Sequence, residues 1–126
     1  QNKAAENLIA APAPMTLYDN LVDFYQTEKP FLNPRLKVED VSEKLNASQK
    51  ELLTALKAAG FSNFNSFTNK YRVEQVRFLL EDPAYDQYKL ESIASEAGFA
   101  TKPTFYAAFE LYTGMKPGYY RSQMKQ

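Results

Sequence analysis

LESIASEAGFATKPTFYAAF, residues 90–109, contains the clearest structural pattern of the chain. The apolar side chains of its first half recur every three or four residues, on one face of a short helix, at Leu90, Ile93 and Ala97. Gly98 ends this helix, and Thr101 is placed to cap a second helix that tolerates Pro103 in its first turn. The stretch therefore predicts two short helices joined by a tight turn.

The same plan occurs earlier in the chain, in VEDVSEKLNASQKELLTAL, residues 38–56. Ser48 precedes the second helix of this copy with Glu51 three residues later, which is the spacing of a capping box. A small residue, Ser42 or Ala94, stands where the two helices of each copy cross. We interpret the two copies as helix-turn-helix units, in which the second helix can lie in the major groove of DNA.

The rest of the chain predicts further helices and no convincing strand. A long apolar stripe over residues 64–81 predicts one helix between the two copies, and single helices precede and follow them. We predict an all-α fold of seven helices, forming two helix-turn-helix subdomains joined by a long linker helix. The predicted boundaries are a linker or disordered tail at 1–15 and one double domain at 16–126, divided into a first unit at 16–62, a linker helix at 63–82 and a second unit at 83–126.

Composition excludes several classes of site. The 126 residues include no cysteine and no histidine, which removes disulfides, the usual zinc sites and any histidine-based triad. No nucleophile–base pair or glycine-rich phosphate loop can be assembled, so we predict no enzyme, no cofactor, no metal and no small-molecule site in this stretch. The chain also lacks a secretory signal and any apolar run of roughly 18 residues, which favours a cytoplasmic protein.

Several short stretches resemble the C-terminal domain of the AraC/XylS family of regulators. The resemblance covers residues 31–121 and rests on matches to the family's linker helix, glycine-phenylalanine pair, phenylalanine-rich helix and closing Gly-x-x-Pro-x-x-Tyr-Arg pattern. These matches are Asn69–Glu74 with Leu79-Leu80, Ile93-Ala94, Glu96–Phe99, Thr104–Tyr106, Ala108-Phe109, Thr113–Met115, Pro117 and Tyr120-Arg121. The resemblance implies a double helix-turn-helix domain that binds DNA.

The resemblance also implies which residues would touch DNA. Base contacts would come from the outward faces of the two second helices, at Gln49, Lys50, Leu53 and Thr54 in the first unit and at Lys102, Pro103, Tyr106 and Ala107 in the second. Phosphate contacts would come from capping hydroxyls and basic side chains, at Ser48, Lys57, Lys70, Arg72, Thr101 and Lys116. For Arg72 an ion pair inside the domain is the alternative.

The chain departs from the family at positions that usually carry basic or aromatic groups. Ala107 stands where an arginine is usual, Glu110-Leu111 replaces a lysine pair, and Thr54 and Leu56 stand near a usual arginine and phenylalanine. The 15 basic and 15 acidic residues also leave no net charge, whereas nucleic-acid-binding domains are usually basic. These departures motivate an alternative function, a degenerate helix-turn-helix domain that binds protein through exposed residues such as Leu53 and Leu111.

The function that the sequence favours is the sequence-specific DNA-binding output domain of a longer bacterial transcription regulator. Its predicted partner is double-stranded DNA. Dimerisation through a missing N-terminal region and contact with RNA polymerase are further expectations. The predicted location is the cytoplasm, and the alternative is a parent protein tethered to the membrane.

Overall fold

The computed structural model describes residues 15–124, and this part of the chain contains seven α-helices and no strand. The helices are α1 (Leu17–Glu28), α2 (Val38–Lys44), α3 (Gln49–Ala58), α4 (Phe64–Leu80), α5 (Leu90–Glu96), α6 (Lys102–Thr113) and α7 (Pro117–Met124). One-turn 3₁₀ helices, Pro30–Leu32 and Pro83–Tyr85, follow α1 and α4. The all-α prediction is confirmed for these residues. The tail predicted at residues 1–15 lies outside them, apart from Met15, which is exposed.

Polar caps fix the starts of the helices. The Ser48 hydroxyl accepts the backbone N–H of Glu51 at 3.0 Å, while the Glu51 carboxylate accepts the N–H of Ser48 at 2.8 Å. Thr16 and Asp19 form a second capping box on α1, with distances of 3.0 and 3.2 Å. Each box satisfies donors that the first turn of a helix leaves free, which favours these boundaries over neighbouring ones.

The buried side chains of the described residues form two clusters. The first core, under α1, α2 and α3, contains Leu21, Tyr25, Phe31, Val41, Leu52, Leu56 and Phe67. The second core, under α5 and α6, contains Val73, Val76, Leu79, Leu80, Ile93, Ala94, Ala97, Phe99, Phe105, Ala108 and Phe109. Helix α4 supplies residues to both clusters, Phe67 to the first and Val73 to Leu80 to the second. The two units are therefore built on one continuous helix.

Each helix pair is preceded by a loop whose carbonyl groups are bound by one arginine. Arg72 on α4 donates from Nε to the carbonyl oxygen of Phe31 at 2.7 Å and from Nη2 to that of Asn33 at 2.9 Å. Arg121 on α7 donates to carbonyl oxygens across residues 85–88, at 2.7 to 3.0 Å. The internal repeat thus extends upstream of the two helix pairs, into loops that share no sequence pattern.

Gly98 occupies a crowded point between the two units. Its φ of +103° lies in the left-handed region that favours glycine. A Cβ atom built there would overlap the carbonyl oxygen of Phe31 and lie 2.9 Å from Nε of Arg72. The turn of the second unit therefore packs directly on the 3₁₀ helix of the first.

Tyr25 is fully buried, and its hydroxyl lies 2.8 Å from the Thr68 hydroxyl. Burial, which disfavours the phenolate, raises the pKa of Tyr25 from 10.0 to about 12. The neutral hydroxyl therefore stabilises the fold fully below pH 10, and this contribution is lost as the pH rises through 12. Two pKa units correspond to about 2.7 kcal/mol.

We expect the free energy of unfolding to fall more steeply between pH 10 and pH 12 in the native chain than in the Tyr25→Phe variant. Urea titrations across this range, followed by far-ultraviolet circular dichroism, measure the difference. Parallel pH profiles for the two proteins would show that Tyr25 does not cause the alkaline loss.

Candidate nucleic-acid interface

Both helix pairs have helix-turn-helix geometry. Ser42 on α2 and Ala94 on α5, the small residues predicted to stand where the helices of each pair cross, are both buried. The first helix of each pair is followed by a residue with positive φ, Asn46 at +54° and Gly98 at +103°. The turns differ by one residue because α3 is capped by Ser48, two residues after Asn46, and α6 by Thr101, three residues after Gly98.

The outward face of α3 carries polar groups. The four side chains predicted to contact bases there, Gln49, Lys50, Leu53 and Thr54, are exposed, while Leu52 and Leu56 are buried in the first core. The Thr54 hydroxyl donates to the carbonyl oxygen of Lys50 at 2.9 Å. The Gln49 amide and the Lys50 ammonium group therefore lie at the start of an exposed helix, where both are available to a ligand.

The outward face of α6 is arranged in the same way but is more apolar. Lys102, Pro103, Tyr106 and Ala107 are exposed, and the opposite side, Phe105, Ala108 and Phe109, is buried in the second core. The Tyr106 hydroxyl donates to Oε2 of Glu91 on α5 at 2.7 Å. This bond fixes the tyrosine ring against α5, and the sequence alone did not indicate it.

Glu91 is ionised at the edge of this face. The hydrogen bond from Tyr106 is the main cause that lowers the pKa of Glu91, and the charges of Lys102 and Lys89 lower it further. A carboxylate beside α6 would repel the phosphate groups of a duplex, and it offsets part of the charge of Lys102. The second unit is therefore weakly basic for two reasons: the chain as a whole has no net charge, and the Glu91 carboxylate lies beside Lys102.

The residues predicted to contact phosphate fall into two groups. Ser48, Lys57, Lys70, Thr101 and Lys116 are exposed. The hydroxyls of Ser48 and Thr101 accept N–H groups of α3 and α6 as caps, and the Lys70 ammonium lies 5.6 Å from the centre of the Phe61 ring. These five remain candidates for phosphate binding.

Arg72 is a correction to the sequence prediction. Its side chain is only 9% exposed, and its guanidinium binds the carbonyl groups of Phe31 and Asn33. The alternative of an internal role holds, although the partners are carbonyl groups and not a carboxylate. Because its guanidinium is bound within the domain, we no longer count Arg72 among the candidates for phosphate binding.

A family described as "Helix-turn-helix domain" matches residues 38–123, which include both helix pairs and the helix between them. The chain belongs to this AraC-type helix-turn-helix family. The resemblance inferred from the sequence is confirmed. The family is one of DNA-binding regulator domains and not of enzymes.

Solved structures share the fold of this family member over nearly their whole length. The C-terminal domain of the two-component response regulator yesN from Fusobacterium nucleatum is 25% identical with a TM-score of 0.65, covering 81% of this chain and 98% of that one. A DNA-binding transcriptional dual regulator from Escherichia coli K-12 is 14% identical with a TM-score of 0.70, covering 87% and 99%. A protein of unknown function from Listeria innocua is 21% identical with a TM-score of 0.68, covering 87% and 97%. Comparison with curated proteins finds no match.

Other kinds of site receive no support from the described part of the chain. Residues 15–124 contain no group of three or more acidic residues, histidines or cysteines arranged to hold a metal ion. None of the helices described is long and apolar enough to span a bilayer. The family assignment does not favour the alternative of a degenerate protein-binding domain. The outward faces of α3 and α6 remain the candidate site.

Proposed function

We propose that this domain is the sequence-specific DNA-binding output domain of a longer bacterial transcription regulator. The observation that carries the proposal is that each unit turns the outer face of its second helix to solvent, at Gln49 to Thr54 on α3 and at Lys102 to Ala107 on α6. An α-helix fits the major groove, and exposed side chains on its first turns contact base edges there. Helices α3 and α6 would enter successive major grooves about 34 Å apart on one face of the duplex.

The assignment of roles within the interface follows from the same placement. Gln49, Lys50, Leu53 and Thr54 contact bases of one half-site, and Lys102, Pro103, Tyr106 and Ala107 those of the other. Ser48, Lys57, Lys70, Thr101 and Lys116 contact phosphate groups. Residues 16–62 and 83–126 form the two DNA-binding units, and 63–82 hold them at a fixed spacing.

The partners beyond DNA follow from the proposed role of an output domain. One neutral domain binds DNA weakly, so dimerisation through another region of the parent protein would raise its affinity. RNA polymerase is a further partner if the regulator activates transcription. The chain itself carries no enzymatic activity in this proposal, and it acts in the cytoplasm, where bacterial DNA lies.

Selection from a pool of random duplexes at low and at near-physiological salt tests the proposal. We expect enrichment of two half-sites with centres one helical turn apart. We also expect an affinity that falls with salt with a logarithmic slope of about −3 to −5, because few lysines reach phosphate. A pool without any enriched sequence and an affinity independent of salt would overturn it.

Lys102→Ala is expected to weaken binding to the selected duplex by roughly fivefold or more, because one good base contact is worth about 1–3 kcal/mol. Lys44→Ala is the matched control. It removes the same charge, but Lys44 lies 3.5 Å from Glu28 and over the Phe24 ring, so its ammonium group faces α1. Fluorescence anisotropy measures both affinities, and equal losses would remove the start of α6 from the interface.

A further inference from the structure

The outward face of α6 is dominated by carbon atoms. Pro103, Ala107 and Leu111 follow one another at intervals of four residues along the helix, and Leu111 is 74% exposed. The ring of Tyr106 lies beside them and is 36% exposed. Side chains at this spacing form a continuous stripe on one side of a helix. The face proposed to enter the major groove is therefore largely apolar.

Two of the hydroxyl protons near this stripe are used within the domain. Tyr106 donates its proton to Glu91 at 2.7 Å, and Thr101 donates its proton to the Thr104 hydroxyl at 3.0 Å. Pro103 has no N–H group to offer. In the described chain, the side-chain donors that this face retains lie in the first turn of α6, at the Lys102 ammonium and the Thr104 hydroxyl. Contacts of the stripe itself must then be made by methyl, methylene and ring groups.

Helix α3 differs at the equivalent place. Its first turn exposes the Gln49 amide and the Lys50 ammonium, neither of which is occupied by a hydrogen bond within the described residues. Both groups can donate to base edges. The two units of one domain therefore present different chemistry, a polar face on α3 and an apolar face on α6.

Only one base pair offers an apolar group in the major groove. Thymine carries a C5-methyl group there, and small apolar side chains such as alanine contact it. The short side chain of Ala107 lets the backbone of α6 approach a methyl group closely, where an arginine would hold it away. Because Glu91 fixes the Tyr106 ring, the ring is already positioned to pack against the same or the next methyl group.

We infer that α6 recognises thymine C5-methyl groups through Pro103, Ala107 and the ring of Tyr106, and that hydrogen-bonded base recognition, apart from any contact of Lys102, is left to α3. This inference rests on the proposed function. It assigns A·T pairs to the half-site bound by α6, with methyl contacts in place of the arginine–guanine contact that Ala107 cannot make. The part of the affinity that comes from these methyl contacts depends little on salt, since the contacts are uncharged.

Replacement of thymine by deoxyuridine tests the inference without altering the protein, because it removes the C5-methyl group alone. The half-site bound by α6 is first located by DNA cleavage from an iron chelate attached to Leu111→Cys, which is specific because the chain contains no other cysteine. We expect each critical deoxyuridine in this half-site to weaken binding about threefold to fivefold, the effect of one buried methyl group. Deoxyuridine in the half-site bound by α3 should have a smaller effect.

Ala107→Gly completes the experiment, since it removes the protein methyl group that is proposed to meet thymine. In this variant the deoxyuridine effect in the α6 half-site should shrink, while the effect in the α3 half-site is unchanged; circular dichroism confirms folding of the variant. Equal affinity for thymine and deoxyuridine duplexes, with salt-dependent binding retained, would overturn the inference and leave the proposed function standing. Failure to bind any duplex would overturn both.

Discussion

The Gly98→Ala variant is expected to lose about 2–5 kcal/mol of its free energy of unfolding, a large share of the roughly 5–15 kcal/mol that a native domain has. Two causes add. An alanine at φ +103° costs about 1–2 kcal/mol of backbone strain, and its methyl group would overlap the Phe31 carbonyl oxygen and crowd the Arg72 guanidinium. Overpacking of this kind costs about 1–3 kcal/mol more. Urea unfolding followed by circular dichroism measures the loss.

Gly60→Ala is the matched control for this prediction. Gly60 has almost the same φ, +99°, but no atom of residues 15–124 lies within 4 Å of an added Cβ there. It should therefore lose only the backbone term, about 1–2 kcal/mol. Equal losses from the two variants would show that contact between the two units adds nothing to the cost at Gly98.

The free energy of unfolding of the Arg72→Met variant is expected to be about 3 kcal/mol lower than that of the native chain. Methionine fills much of the space of the arginine side chain but leaves the carbonyl groups of Phe31 and Asn33 without their donors, and a buried unpaired acceptor costs about 1–3 kcal/mol. Burial also lowers the pKa of Arg72, which shows that the surroundings already disfavour its charge. Removing the buried charge recovers this cost and so offsets part of the lost stability. The net effect remains destabilising because the carbonyl groups of the loop lose both of their hydrogen bonds.

Arg121→Met is the comparison for Arg72→Met, because Arg121 also binds loop carbonyls. These carbonyls belong to a partly exposed loop, where water replaces the lost donor, so we expect a loss of about 1 kcal/mol. A second readout separates structure from function at Arg72. The salt dependence of DNA binding should be the same for folded Arg72→Met as for the native chain, and a shallower slope would restore Arg72 as a phosphate ligand.

Local features of the fold were predictable from the sequence because their causes lie within a few residues. Ser48 and Thr101 cap α3 and α6 as their positions predict, and Gly114 has the positive φ that ends α6. Leu52 and Leu56 on α3, and Phe105 and Phe109 on α6, recur at a spacing of four residues and mark the buried side of each helix, so the opposite sides are expected to be exposed. The helix predicted over residues 64–81 ends at Leu80 in the structure, one residue earlier, a difference within the fraying of helix termini.

Features that depend on distant partners were not predictable. Arg72 meets its carbonyl acceptors 41 and 39 residues away in the sequence, and no local pattern separates a buried arginine of this kind from an exposed one. Tyr106 and Glu91 are 15 residues apart and meet because α5 and α6 cross. The bond between them changes the chemistry of the candidate site, since it removes a donor and adds a fixed carboxylate.

Because α4 contributes side chains to both cores, an insertion within this helix would affect the two units together. An α-helix turns about 100° with each residue. One residue inserted between Phe67 and Val73 would therefore rotate α6 about the α4 axis relative to α3. Their angular phase would then no longer match the pitch of a duplex. If α3 and α6 bind DNA as proposed, we therefore expect an insertion in this segment to abolish simultaneous binding of two major grooves, whereas an insertion in a loop would be tolerated.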